Sequence, residues 1–160
     1  MKNAASPSEP SKLSARGARA AVRLSDEYFL RALRIIADLT EGDIITAIVL
    51  RAVVAGNIGY LDGHAAEAAL YSDLETVPPD HLRRPVSILS VSGALALPYE
   101  TTRRHVHKLI ASGRCRMERD GVVAPSESLS GPAEQAATLA NLANLRRLFR
   151  GLKRAGVELE

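Results

Sequence analysis

LPYETTRRHVHKLIASGRCRMERDGVV, residues 97–123, decides the fold. Pro98 and Tyr99 mark a tight turn into a helix, and Gly113 is a good stop residue for it. Within that helix Thr102, Val106, Leu109 and Ile110 recur at helical spacing as one inward stripe, with His105 at its margin. Thr101, Arg103, Arg104, His107 and Lys108 fall on the other face. Beyond Gly113, residues 114–117 read as a strand, Asp120-Gly121 as a turn and residues 122–124 as a second strand. An Asp-Gly pair between two β-prone runs is the strongest short-range signal for a hairpin.

Working backwards, LSVSGALAL (residues 89–97) reads as a short helix, so two helices are joined by a short turn, a helix-turn-helix signature. RPVSI (84–88) reads as extended, because the residue before Pro85 is pushed out of the helical region and Val86 and Ile88 are β-branched. Upstream, Ser25 before Asp26 and Glu27 predicts a helix start, followed by Phe29, Leu33, Ile36 and Ala37 at helical spacing. Thr40 and Asp43 flag another start, and the run from Ile44 to Ala55 is apolar nearly all round, as expected of the central core helix. A shorter helix is expected from His64, ended by Pro78 and Pro79. At the other end, Ser130-Gly131-Pro132 with Glu134 opens a long helix carrying Leu139, Leu142, Leu145, Phe149 and Leu152 along one side and a basic cluster near its end.

Through LPYETTRRHVHKLIASGRCRMERDGVVAP the sequence resembles winged helix-turn-helix bacterial transcription regulators of the MarR/GntR-like kind. The match covers residues 85–125. The expected class is therefore mainly α: a winged helix-turn-helix domain over 25–130 with an acidic insert at 60–84, and a C-terminal helix over 131–160. The resemblance implies that helix 99–112 enters the major groove of double-stranded DNA as a recognition helix, that wing 114–124 touches backbone or minor groove with Arg119 and Asp120 near its tip, and that flanking helices build a homodimer. It also implies a possible small-molecule effector, which no residue names. Many relatives have glycine in the turn before the proline; here Ala96 stands there, and a left-handed alanine costs about 1 kcal/mol.

Charge is distributed unevenly. The formal net charge is +3, but residues 25–80 carry three basic and ten acidic side chains while residues 81–121 carry eight basic and three acidic. An anionic partner is attracted to the middle of the chain. Arg103 and His107, four apart, stack on one helical face. Arg103, then His107 and Thr101, are expected to read bases; Tyr99, which begins the same helix, is expected to bind DNA with them, and Arg104, Lys108, Arg114, Arg116 and Arg119 are expected to meet phosphates. The competing reading of this helix face is a merely solvated one. A winged-helix module that binds an acidic protein is the alternative from another functional class.

Other chemistries fare worse. His105 and His107 sit two apart, about 200° around a helix, so they do not share a metal readily. GNIGYLDG (56–63) lacks the lysine of a phosphate-binding loop, no G-x-S-x-G elbow occurs, and Asp73, Glu75 and Asp80 read as the polar face and end of a short helix. The expectation is a non-enzyme that needs no cofactor. Cys115, the single cysteine, excludes an internal disulfide and fits a reducing compartment; flanked by Arg114 and Arg116, its thiol is either acidified and redox-responsive or turned into the core. The best apolar run, IITAIVLRAVVA (44–55), is short and interrupted by Arg51, and the N-terminus has no apolar signal core. A cytoplasmic protein with no membrane partner and a disordered basic leader over 1–24 is expected. The C-terminal leucine stripe fits either packing on its own domain or a dimer seam.

Overall fold

The computed structural model describes residues 12–73 and 76–157. In chain order it has α1 (Lys12–Ala37), α2 (Ile44–Ile58), α3 (Ala65–Leu70), α4 (Ile88–Leu95), α5 (Tyr99–Ala111), strands β1 (Arg116–Glu118) and β2 (Gly121–Val123), a single-turn α6 (Ser126–Leu129) and α7 (Pro132–Arg154). The protein is mainly helical with one small antiparallel hairpin, and it divides into two units, residues 33–141 and the helix pair formed by 12–32 with 142–157.

In the larger unit α2 is the centre, as its apolar run predicts. Asp43 caps it by accepting the Thr46 N–H at 3.0 Å, satisfying a donor that has no partner inside the helix. Val49, Leu50 and Val53 of α2 meet Val91 of α4, Val106 and Leu109 of α5, and Cys115, Val122 and Ala124 around the hairpin. Segment 44–63, mean hydropathy 1.8, is long and apolar enough by composition to cross a membrane, a longer run than the sequence reading allowed. In this fold it supplies the core residues just named.

One polar side chain ties this core together. Asn57 is fully buried; its Nδ2 donates to the Arg84 carbonyl at 2.8 Å and the Val122 carbonyl at 2.9 Å, and its Oδ1 accepts the Ala124 N–H at 2.9 Å. It lies inside α2, which runs on to Ile58.

The segment around Val86 is extended as expected and forms an isolated antiparallel bridge with Val122. Gly121, at φ +145°, permits this approach: a Cβ there would lie 2.5 Å from the Val86 carbonyl oxygen. The hairpin differs in register from the expected 114–117 and 122–124. Its strands pair Glu118 with Gly121, so Arg119 and Asp120 form the two-residue turn and the glycine belongs to the strand, where the close backbone contact demands it. Between α4 and α5, Ala96 is left-handed (φ 52°, ψ 34°), as its place before Leu97-Pro98 anticipated. Leu97 N–H bonds to the Ser92 carbonyl at 3.1 Å and closes the end of α4.

The smaller unit is an antiparallel helix pair. Asn144 donates to the Tyr28 carbonyl at 3.0 Å, and Gly151 lies so close to Leu24 that an added Cβ would sit 2.8 Å from a leucine methyl. α1 begins at Lys12, so the expected cap at Ser25 is not used and residues 12–24 of the expected leader are helical; residues 1–11 lie outside the described part. The cap signal loses because Ala15, Ala18, Ala20 and Ala21 favour helix and the inward side chains of α1 pack on α7. The expected helix from His64 is confined to Ala65–Leu70.

Candidate nucleic-acid interface

α5 is held by one face and free on the other. Thr102, Val106 and Leu109 are essentially inaccessible, and His105 is buried with them, as expected. His105 Nδ1 lies 2.7 Å from Thr46 Oγ1, which donates onward to Asp43 Oδ2 at 2.8 Å, so Nδ1 carries the proton and donates to the hydroxyl. Asp43 also accepts from Lys108 at 3.0 Å. The Thr46 N–H and hydroxyl, then Lys108, hold the Asp43 carboxyl well below the usual carboxylate range. Burial pushes the His105 imidazole below its ordinary value, outweighing the pull of the Asp43 charge.

The outward face contains Thr101, Arg103, Arg104 and His107, which with Glu100 line a shallow open depression of about 400 Å³. Arg103 Nε donates to Glu100 Oε2 at 3.0 Å, leaving its terminal nitrogens unengaged. Arg104 and His107 are exposed and have no hydrogen-bond or ion-pair partner among the described residues. Tyr99, at the start of α5, is 45% exposed. His107 and His105 thus lie on opposite faces of the helix, one exposed and one buried.

Three of the residues expected to meet phosphates are committed inside the protein. Lys108 pairs with Asp43. Arg114 donates to the Leu39 carbonyl and, at 3.0 Å, to Glu134, a buried carboxylate that Arg51 also reaches at 2.8 Å. Arg116 bonds Asp80 at 2.8 Å and Glu118 at 2.9 Å, and Asp80 in turn accepts the Ser126 N–H at 2.7 Å. That backbone donor, then Arg116, keeps the Asp80 carboxyl far below its ordinary range, and the Asp80 hydrogen bond raises the Arg116 guanidinium. Asp80 belongs to the acidic insert, so the insert braces the hairpin and the start of α6. Arg119, at the hairpin turn, is exposed.

Cys115 takes the second of its two expected forms. It is 3% exposed, and burial pushes its thiol up to about 12, overriding the neighbouring Arg114 charge. The acidified, redox-responsive thiol is therefore not found. Beside the C-terminal half of α5 lies an open groove of about 510 Å³, bordered by Thr40, Asp43, Thr46, Lys108, Ser112 and Arg114. Both cations on its border are already paired with carboxylates.

Comparison with protein-family models, with curated proteins and with solved structures finds no match.

Proposed function

We propose that the protein is a winged helix-turn-helix regulator that binds duplex DNA through the outward face of α5. The observation that carries the reading is the division of α5: one face is locked into the core, while Thr101, Arg103, Arg104 and His107 stand together on the other. α4, the left-handed Ala96, α5 and the hairpin supply the helix, turn, helix and wing in order. Glu100 orients Arg103, whose free terminal nitrogens match the acceptor pair O6 and N7 of guanine. Arg103, His107 and Thr101 read bases, Tyr99 sits at the entry end, and Arg104 and Arg119 meet phosphates.

The active form in this reading is a homodimer. Val22 and Phe29 on α1 are 59% and 57% exposed, and Phe149 on α7 is 49% exposed. Val22 and Phe29 are seven apart, as are Leu142 and Phe149, so each pair shares one face of its helix. Both faces lie well round from the side on which α1 and α7 touch, at Leu24 and Gly151. A second copy covers these exposed apolar side chains, and a two-fold dimer suits half-sites about 34 Å apart.

Selection of bound genomic fragments, followed by titration of the best fragment, tests the reading. Arg103→Ala should reduce preference for that fragment over arbitrary duplex by about 5- to 150-fold, the worth of one bidentate base contact. Arg104→Ala should weaken all duplexes alike. Unchanged affinity in the Arg103→Ala, Arg104→Ala double variant removes the recognition-helix assignment and leaves the protein-interaction module as the reading.

A further inference from the structure

Most of the positive charge left unpaired among the described residues belongs to the smaller unit. Residues 12–32 and 142–157 carry ten basic and two acidic side chains, a net +8, whereas residues 33–141 carry ten basic and thirteen acidic, a net −3. In the larger unit the basic side chains are largely matched by carboxylates, as with Lys108, Arg114 and Arg116. In the helix pair, the Arg31–Glu27 contact is the one ion pair among the described residues.

The excess has a definite address. Arg146, Arg147, Arg150, Lys153 and Arg154 of α7 are all exposed and have no carboxylate partner among the described residues. At 100° per residue they fall within an arc of about 120°. The opposite side of α7 carries Asn144, Gly151 and Leu152, and the first two of these meet α1. The Nε groups of Arg150 and Arg154 lie 3.4 and 3.3 Å from the carbonyls of Arg146 and Arg150, which stations each guanidinium over the preceding turn with its terminal nitrogens free.

Favourable interaction with the helix dipole accounts for cations in the last turn, Lys153 and Arg154, but not for Arg146, Arg147 and Arg150 further back. Like charges four apart, as in Arg146 with Arg150 and Arg150 with Arg154, disfavour the helix that bears them. A polyanion laid along the row removes that repulsion. From Arg146 to Arg154 the row spans about 12 Å, a length of duplex axis over which each strand presents three to four phosphates at about 3.4 Å of axial rise apiece. A bilayer surface fits less well. A helix lying in a membrane interface needs the apolar side opposite its charges to be free, and on α7 Leu152, on that side, is buried.

We propose that the basic outer face of α7 is a second phosphate-binding surface for duplex DNA, distinct from α5 and supplying most of the salt-dependent affinity. It rests on the DNA-binding reading above and adds to it a division of labour, with sequence read by α5 and the backbone held by α7.

The test titrates the full chain with an arbitrary duplex over a range of salt concentrations, alongside the variant R146Q/R147Q/R150Q. Glutamine is a good helix former and all three sites precede the last turn, so circular dichroism should report an intact fold. The expected slope of log affinity against log salt is shallower by about 2 to 3, with sequence preference in a random-duplex selection unchanged. Arg150→Gln alone should reduce the slope by about 0.9, a reading that stands even if the triple variant fails to fold. An unchanged slope in a folded variant overturns the proposal. So does loss of binding to phosphatidylserine vesicles with duplex binding retained. If Arg103→Ala leaves sequence preference intact while R146Q/R147Q/R150Q loses its slope, base reading by α5 fails and the α7 surface stands. A chain that binds no duplex sinks both.

Discussion

Replacing Asn57 by alanine should open the larger unit. The substitution removes three hydrogen bonds at once, two of them buried, to the Val122 carbonyl and the Ala124 N–H, and one part-buried, to the Arg84 carbonyl. The Val122 carbonyl keeps a partner, because it also accepts the Val86 N–H at 3.1 Å. The Arg84 carbonyl and the Ala124 N–H do not, and each unsatisfied buried group costs about 1–3 kcal/mol, which with the lost packing gives about 3–5 kcal/mol for the variant. Cys115 offers a local readout, since it is buried in the same core cluster and its thiol is held near 12 until the unit opens. Once released it titrates near 8.5 and reacts as thiolate. Labelling by an aromatic disulfide under native conditions should therefore accelerate by about 10²–10³·⁵, at tenfold per 1.4 kcal/mol. An acceleration below about fivefold, corresponding to less than 1 kcal/mol, would refute the claim that Asn57 fastens α2 to the hairpin.

Ala96→Gly should stabilise the larger unit by about 0.5–1 kcal/mol in denaturant melts, because glycine adopts the left-handed turn without the steric penalty alanine bears and gives back only part of that gain in chain entropy. His105 makes stability fall on mild acidification. Its folded value is depressed, so from the ordinary 6.5 down to the folded value the unfolded chain takes up a proton that the native protein refuses, losing up to about 1.4 kcal/mol per pH unit. Above pH 6.5 neither state is charged and the effect vanishes; His105→Gln should flatten the profile in this window. Phe29→Asp with Phe149→Asp should convert a dimer to monomer in light scattering, and a wild-type chain that is already monomeric removes the dimer from the proposal.

Local chemistry made much of the larger unit legible. The Asp43 cap, the turn at Ala96, the stop at Gly113 and the division of α5 each depend on residues within a turn or two of one another, where spacing alone conveys geometry. What sequence could not convey were partners far along the chain. Lys108 looked free because Asp43 lies 65 residues away, and Arg116 looked free because Asp80 lies 36 away. The same limit hid the start of α1: Ser25 with two acids is a good local cap, but packing against residues near 151 outweighs it. Asn57 did leave a signal, an amide in an otherwise apolar helix. A buried polar side chain in such a place implies hydrogen-bond partners, but residue spacing does not name the Arg84, Val122 and Ala124 backbone groups that supply them.

The helix pair also has a consequence for how the chain is made. Tyr28 and Asn144 are 116 residues apart, so α1 cannot settle on its partner until α7 has been synthesised. At about 5–20 residues per second, that leaves the inward side chains of α1 uncovered for roughly 6–23 s, while the core around α2 completes within its own contiguous stretch. The basic side chains along α1, which repel one another and keep neighbouring nascent chains apart, guard an apolar stripe during that wait.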